Sequence, residues 1–299
     1  MHAHLSPSGH GFSSLPARAG IGLRSAHFRQ IRNERPDIGF LEVHPENFFG
    51  GGAHVEMLED YATLYPLSFH GVGLSLGSAG RLDAQHVNAL RALVERVRPA
   101  LVSDHVAWSA SGNAHLSDLL PLPYTKESLS VVADHIAQVQ DALGRRMLVE
   151  NPSTYLAYAH STMREPEFLA ALCERTGCGL LVDVNNIFVQ CHNVGGDPEE
   201  YFSVIAPASV GELHLAGHTE RVYGEEKILI DTHDAPVCDA VWQWYERAVE
   251  CWGRVPTLIE WDQSLPALEV LLEEAGKAER VMKKVGARAS EQGRIYAAG

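Results

Sequence analysis

The sequence predicts an α/β fold of one kind, a closed (β/α)8 TIM barrel. Eight short apolar runs recur along the chain, segments with helical spacing separate them, and no Pro/Gly/Ser-rich linker divides it. The length of 299 residues suits one such barrel, which takes about 250, with modest extensions.

The runs fall, in order, at 20–23 (GIGL), 38–43 (IGFLEV), 67–70 (LSFH), 100–105 (ALVSDH), 147–150 (MLVE), 179–184 (GLLVDV), 210–215 (VGELHL) and 257–260 (TLIE). Each is nearly continuously apolar, as a strand covered on both faces must be. Between the third and fourth runs, Val87, Leu90, Leu93, Val94 and Val97 form a helical stripe, with Asp83 placed to cap its start. Leu129, Val132, Ala133, Ile136, Val139 and Leu143 form the next, and Gly144 stands where a left-handed turn ends a helix. Val237, Val241, Trp244, Tyr245, Ala248 and Trp252 repeat the pattern before the eighth run; Leu265, Leu268 and Leu272 begin the last helix. Alternation of this kind over eight units points to a barrel rather than an open sheet. One domain is expected over 1–299, with a core at about 20–283, a flexible arm at 1–17 and a flexible tail at 287–299.

Composition narrows the function. Hydrophobic residues at 45% and charged residues at 21% are those of a folded chain. With 38 Asp+Glu against 24 Lys+Arg, the net charge of −14 repels phosphate backbones and anionic membranes, so neither nucleic acid nor a membrane is expected as partner. No apolar run reaches the ~20 residues of a membrane span. The start, MHAHLSPSGHGF, lacks the pattern of a signal peptide, and the five cysteines include no Cys-x-x-Cys pair. A reducing cytoplasm is the expected location.

The 16 histidines carry the chemistry, because several stand at strand ends, where the active site of such a barrel lies. His70 closes the third run, Asp104 and His105 the fourth, and Glu150 the fifth. Asp183 and Asn186 close the sixth, and His214 the seventh. The following loop adds Asp231 and His233, and Glu260 closes the eighth run. Carboxylates and imidazoles at buried strand ends cost several kcal/mol unless partnered, and crowded carboxylates repel one another. Cations remove both costs. Two or three ions about 3.5–4 Å apart, bridged by a carboxylate such as Glu150, are the economical arrangement. Oxygen and nitrogen donors without cysteine suit zinc, manganese or iron equally.

Other residues near the strand ends are expected to support the ligands or touch a substrate. They are Glu46 and Asn47 after the second run, Asp104 beside His105, His192 and His218. His44 is expected near the mouth without binding metal. Gly71, Gly73 and Gly77 lack the Lys-Ser/Thr ending of a phosphate loop and are expected to permit close backbone approach. Trp242, Trp244 and Trp252 are expected to pack a helix, Cys191 to be inert, and His2, His4 and His10 to belong to the flexible arm.

The segments LEVHPENFF, HGVGLSLG, SDHVAWS, VENPSTYL, LVDVNNIFV and ELHLAGH together resemble those of the multinuclear non-heme iron-dependent oxidative enzymes, a family long uncharacterised. It includes the iron enzyme of methanobactin biosynthesis and enzymes that modify bufferin-type peptides. The likeness runs from about Gly20 to about Leu272. It implies a barrel akin to xylose isomerase and endonuclease IV. It also implies that His70, His105 and Glu150 hold one iron, and that Glu150, Asp183, His214 and Glu260 hold a second. Asn186, Asp231 and His233 would hold a third, more labile ion. Glu150, His70, His105 and Asp183 would be the catalytic set. Two or three mixed-valent Fe(II)/Fe(III) ions would use dioxygen to oxidise a residue, cysteine above all, of a ribosomally made precursor peptide. Hydrogen would be taken from the cysteine β-carbon while one ion holds the thiolate. A separate peptide-recognition protein is the implied partner. Where many members read Asn-His-Gly after the sixth strand, this chain reads Asn193-Val194-Gly195, with His192 two positions before Val194.

Three other functions fit parts of the pattern. A zinc-dependent phosphodiesterase of the endonuclease IV type is opposed by the net charge and by Asn186, where those relatives carry histidine. A metal-dependent sugar isomerase wants a proton-transferring lysine or histidine, and no lysine stands at a strand end. A structural or storage site would be closed and use fewer ligands.

Overall fold

The computed structural model describes residues 15–111 and 114–297. Its strands are β1 (Ala19–Gly22), β2 (Leu41–Val43), β3 (Leu67–Gly71), β4 (Leu101–His105), β5 (Trp108–Ser111), β6 (Ala114–Leu120), β7 (Leu148–Glu150), β8 (Gly179–Asp183), β9 (Val210–Ala216), β10 (Thr219–Tyr223), β11 (Glu226–Ile230) and β12 (Thr257–Glu260). Eight of them close a parallel barrel in the order β1-β12-β9-β8-β7-β4-β3-β2. These are the eight apolar runs.

Helices follow the barrel strands in turn: α1 (Phe28–Glu34), α2 (Ala53–Ala62), α3 (Ala84–Val97), α4 (Lys126–Leu143), α5 (Glu165–Thr176), α6 (Val184–Val194) with the short α7 (Glu199–Val204), α8 (Asp239–Trp252) and α9 (Leu268–Ala297). The expected punctuation is present. Asp83 accepts a hydrogen bond from the backbone N–H of Gln85 at the start of α3, and Gly144 ends α4 at a φ of 63°.

The barrel interior explains where the chemistry sits. Phe40, Leu101, Leu148, Leu181 and Leu258 pack with Leu15 in a cluster of their own, separate from the larger core between strands and helices. Side chains in a strand alternate faces, so a step of two keeps the inward face and moves toward the C-terminal end. From Phe40 that step reaches Glu42, and from Leu101 it reaches Ser103 and then His105. From Leu148, Leu181 and Leu258 it reaches Glu150, Asp183 and Glu260. The lower interior is apolar; the upper is polar, and all of these residues are buried. The residues between them, among them Val102, Val149, Val182 and Ile259, belong to the outer core.

Three features differ from expectation. Two antiparallel hairpins, β5–β6 after β4 and β10–β11 after β9, rise from the C-terminal end; their strands are mixed in polarity, and only the three residues Ile228, Leu229 and Ile230 of β11 form a short apolar stretch. The tail expected beyond residue 286 is helical, since α9 continues to Ala297. Leu15, within the expected arm, is buried in the inner cluster and plugs the barrel floor. His2, His4 and His10 lie outside the described residues. No helix among the described residues is long and apolar enough to cross a membrane.

Gly217, just after β9, illustrates how closely the upper loops pack. A Cβ there would lie 2.0 Å from the Ala235 carbonyl oxygen and 2.9 Å from that of Pro236. Gly217→Ala therefore displaces the loop after β11 and should cost about 1–3 kcal/mol by overpacking. Urea denaturation measures this; an unchanged midpoint would contradict the close approach.

Candidate metal centre

Nine side chains meet at the C-terminal mouth of the barrel: His70, His105, Glu150, Asp183, Asn186, His214, Asp231, His233 and Glu260. Overlapping groups of them offer ligand atoms within 4.8 Å of one another: His70–His105–Glu150, Glu150–Asp183–His214, His70–His214–Glu260 and Asp183–His233–Glu260. A cavity of about 200 Å³ opens over them, with Val72, Leu119 and Pro152 among its walls.

The neighbours of each imidazole decide which nitrogen it presents. His105 Nδ1 lies 3.2 Å from the Gly71 carbonyl, which only accepts, so Nδ1 carries the proton and Nε2 the lone pair. His70 Nδ1 lies 2.9 Å from Ser103 Oγ, whose own hydrogen points to the Phe69 carbonyl 3.3 Å away. The two free Nε2 atoms stand 3.0 Å and 3.1 Å from Glu150 Oε2, which makes no hydrogen bond. With both imidazoles neutral, lone pairs face lone pairs; a proton on His70, or a cation in its place, relieves this.

The β8 end adds two more bare oxygens. Asp183 caps α6 through Oδ1, which accepts from Asn186 N at 2.6 Å, while Oδ2 is buried without a partner. The Asn186 amide donates to the Asn151 carbonyl at 3.0 Å, which leaves its Oδ1 unpartnered as well. Buried polar atoms without partners are costly and uncommon. These three oxygens and the histidine nitrogens form a donor set that fits one or more cations of the borderline class.

Loops supply the remainder. His233 is held at a φ of 48° by its N–H to Gly217 O and by Asp262 N, which donates to His233 O. Its Nε2 is 2.7 Å from Asp231 Oδ1 and its Nδ1 3.5 Å from Glu260 Oε1. His214 stands between two carboxylates, with Nδ1 3.1 Å from Glu260 Oε2 and Nε2 3.1 Å from Glu42 Oε2.

Electrostatics reflect the crowding. Burial, then the charges of Glu150, Asp231 and Glu260, push Asp183 well above the usual carboxylate range. Burial alone would lower His70, but the Glu150 charge takes it up to about 10. Burial opposes ionisation of Glu260 too, yet His233 and His214 hold it well below the ordinary value. Burial, followed by the Glu42 charge, lifts Glu212 to about 8.

Residues expected to assist divide by what they touch. Asp104 accepts from the backbone of His105 (2.7 Å) and Leu74 (3.1 Å), so it fixes the strand end and the loop above it. Glu46 accepts from Val72 N (2.9 Å) and Gly73 N (3.1 Å) and touches no ligand. Asn47 is exposed and lines a neighbouring cleft with Arg24 and His54. His192 does not reach the mouth: it is exposed on α6, with Nε2 3.2 Å from the Lys227 carbonyl. His218 acts at one remove, bonding Asn185 Oδ1 at 2.7 Å while Asn185 Nδ2 donates to Asp231 at 2.7 Å. His44 lines the cavity and donates through Nδ1 to the His70 carbonyl at 3.0 Å.

Several contributors escape a reading confined to the last residue of each run. Asn151 clamps β8, accepting from Asp183 N (2.9 Å) and donating to Asp183 O (3.0 Å). Asp262 joins Arg24 Nε at 2.9 Å to His233 Nδ1 at 3.2 Å. Glu42 and Glu212, both fully buried, lie beneath His214. A lone carboxylate inside an apolar strand was the available signal for both.

Comparison with known proteins places this geometry. Residues 18–283 match the family model described as "RiPP precursor modification enzyme MbnB/TglH/ChrH". A UPF0276 protein of Chromobacterium violaceum is 46% identical over 270 residues, spanning 90% of this chain and 96% of its own. Among solved structures, endonuclease IV of Thermus thermophilus aligns with a TM-score of 0.55 at 16% identity, covering 91% of this chain and 99% of that one. A xylose isomerase-like TIM barrel of Mycobacterium smegmatis in complex with magnesium aligns at 0.58 and 13%, covering 93% and 99%. The barrel is of the xylose-isomerase-like, endonuclease IV-like type.

If cations complete the mouth, they stabilise the fold by binding only the folded chain. Chelator-treated protein should gain about 2.7 kcal/mol at a hundredfold excess over the dissociation constant. Thermal unfolding with and without added ferrous or zinc ion tests this, and an unmoved transition would count against the site.

Proposed function

The chain belongs to the RiPP precursor modification enzyme family MbnB/TglH/ChrH, and from that premise we propose that it is a multinuclear iron oxidase acting on cysteine in a ribosomally synthesised precursor peptide, with dioxygen as co-substrate. The observation that carries the metal-dependent part is the set of buried acceptors without partners, Glu150 Oε2, Asp183 Oδ2 and Asn186 Oδ1, facing imidazoles whose other nitrogens are engaged.

His70, His105 and Glu150 would hold one ion, and Glu150, Asp183, His214 and Glu260 a second, with Glu150 between them. Asn186, Asp231 and His233 would hold a third. Bound iron supplies one-electron chemistry toward dioxygen and Lewis acidity toward a thiol. The protein's part is positional. Ser103 and the Gly71 carbonyl orient His70 and His105, Asn151 fixes the β8 end, and Asn185 steadies Asp231.

The cavity, at about 200 Å³, suits one small side chain, so the rest of a peptide lies across the rim. That rim is apolar in places: Val72, Tyr155 and Leu156 are exposed on loops at this end of the barrel, and Leu116 on the β5–β6 hairpin. Val72, Leu119 and Pro152 reduce water at the reacting side chain. A separate peptide-recognition protein is part of the proposal, with the rim available to both.

A phosphodiesterase wants cations facing its substrate; Arg24 beside the cavity is instead committed to Asp262. Likeness to endonuclease IV extends to the fold alone.

The test is co-expression in air with a cysteine-containing precursor encoded beside this gene, followed by peptide mass and metal analysis. A changed peptide mass with iron in the enzyme is expected. An unmodified peptide despite full iron loading would overturn the oxidative reading. Glu150→Ala should lose two ions together and all activity; retention of full metal content would remove Glu150 as the bridge.

A further inference from the structure

His214 differs from the other two strand-end histidines. A hydroxyl and a backbone carbonyl orient His70 and His105, but each nitrogen of His214 meets a carboxylate, Glu260 at Nδ1 and Glu42 at Nε2, both at 3.1 Å. A neutral imidazole has one proton and one lone pair, so only one of these nitrogens can bind a cation.

Glu42 is wholly buried in the middle of β2, two residues above Phe40 on the inward face. A carboxylate there carries a large desolvation cost, and apolar residues would fill the position without it. It does not line the mouth cavity. Its Oε2 faces His214, and its Oε1 has no hydrogen bond. Glu212, on the inward face of β9 two residues before His214, is held from the other side by Ser68 Oγ, which donates to Oε2 at 2.9 Å. Glu42 and Glu212 thus place two carboxyl groups beneath one nitrogen of His214, while Glu260 meets the other.

We propose that Glu42 is a positioning residue for the metal centre: by accepting the Nε2 proton of His214 it fixes the tautomer in which Nδ1 presents its lone pair beside Glu260. This rests on the reading of His214 and Glu260 as metal ligands. A carboxylate behind a ligating imidazole fixes the ring and raises its basicity, and loss of such a partner typically weakens metal binding 10–100-fold. The arrangement also accounts for a glutamate in a strand position that never meets solvent or substrate.

Protein labelled with nitrogen-15 in histidine and loaded with zinc, which is diamagnetic, tests this by NMR, with His214→Gln identifying the His214 ring. The expected spectrum shows a protonated Nε2 and a metal-bound Nδ1. Chelator competition should show one ion bound 10–100-fold more weakly in Glu42→Leu and largely restored in Glu42→Gln, which keeps an acceptor oxygen. A proton on Nδ1, or wild-type affinity in Glu42→Leu, overturns the proposal while leaving the ligand set standing. Loss of an entire ion from both Glu42→Leu and Glu212→Leu would place a cation between the two glutamates and overturn it too. Zinc absent from the wild-type protein overturns the ligand set and this proposal together. The wild-type spectrum remains decisive should Glu42→Leu fail to fold.

Discussion

Three buried oxygens that make no hydrogen bond, on Glu150, Asp183 and Asn186, face a ring of imidazoles at the top of the barrel, and much of the upper structure is organised around them. A folded chain does not keep such atoms dry without a partner, because each forfeits about 1–3 kcal/mol of hydration. The surrounding residues sharpen the problem instead of relieving it. Ser103, the Gly71 carbonyl and Asn151 occupy the outward-facing valences of His70, His105 and the β8 end, so the inward-facing atoms are left with one another. Cations are the partner that satisfies acceptor oxygens and imidazole lone pairs at once.

The fold makes this possible through strand periodicity. Inward positions carry leucine low in the barrel and a polar group two residues higher, as in Leu148 and Glu150, Leu181 and Asp183, and Leu258 and Glu260. The leucines bury a tight lower layer, so the strand ends above it are rigidly placed. Loops are then free to add chemistry: the β10–β11 hairpin leads directly into the segment bearing Asp231 and His233. Asp262, after β12, and the close approach of Gly217 to Ala235 hold that segment against the strand ends.

All eight barrel strands were legible from the sequence because a strand covered on both faces needs apolar residues throughout. The hairpins were not: β10 is largely exposed, and the apolar stretch of β11 is only three residues long, too short to mark a strand. At the site, the residues ending each run were legible because a charged side chain stops an apolar run. Glu42 and Glu212 lay inside runs, where the eye passes over a single carboxylate. Asn151, Asn185 and Asp262 act through partners distant in the sequence, and only folding brings those partners together. His192 shows the opposite error: proximity in sequence to the β8 ligands did not bring it to the mouth, because the helical turn of α6 carries it to the β10–β11 hairpin.

Anomalous diffraction at the iron edge, from crystals of protein purified without oxygen and reconstituted with ferrous ion, addresses the central claim most directly. The account predicts separate iron peaks at the barrel mouth, one within coordination distance of His70 Nε2, His105 Nε2 and Glu150, and a second sharing Glu150 with Asp183 and Glu260. A mouth without peaks, its carboxylates and imidazoles satisfied by hydrogen bonds to one another and to water, would contradict it.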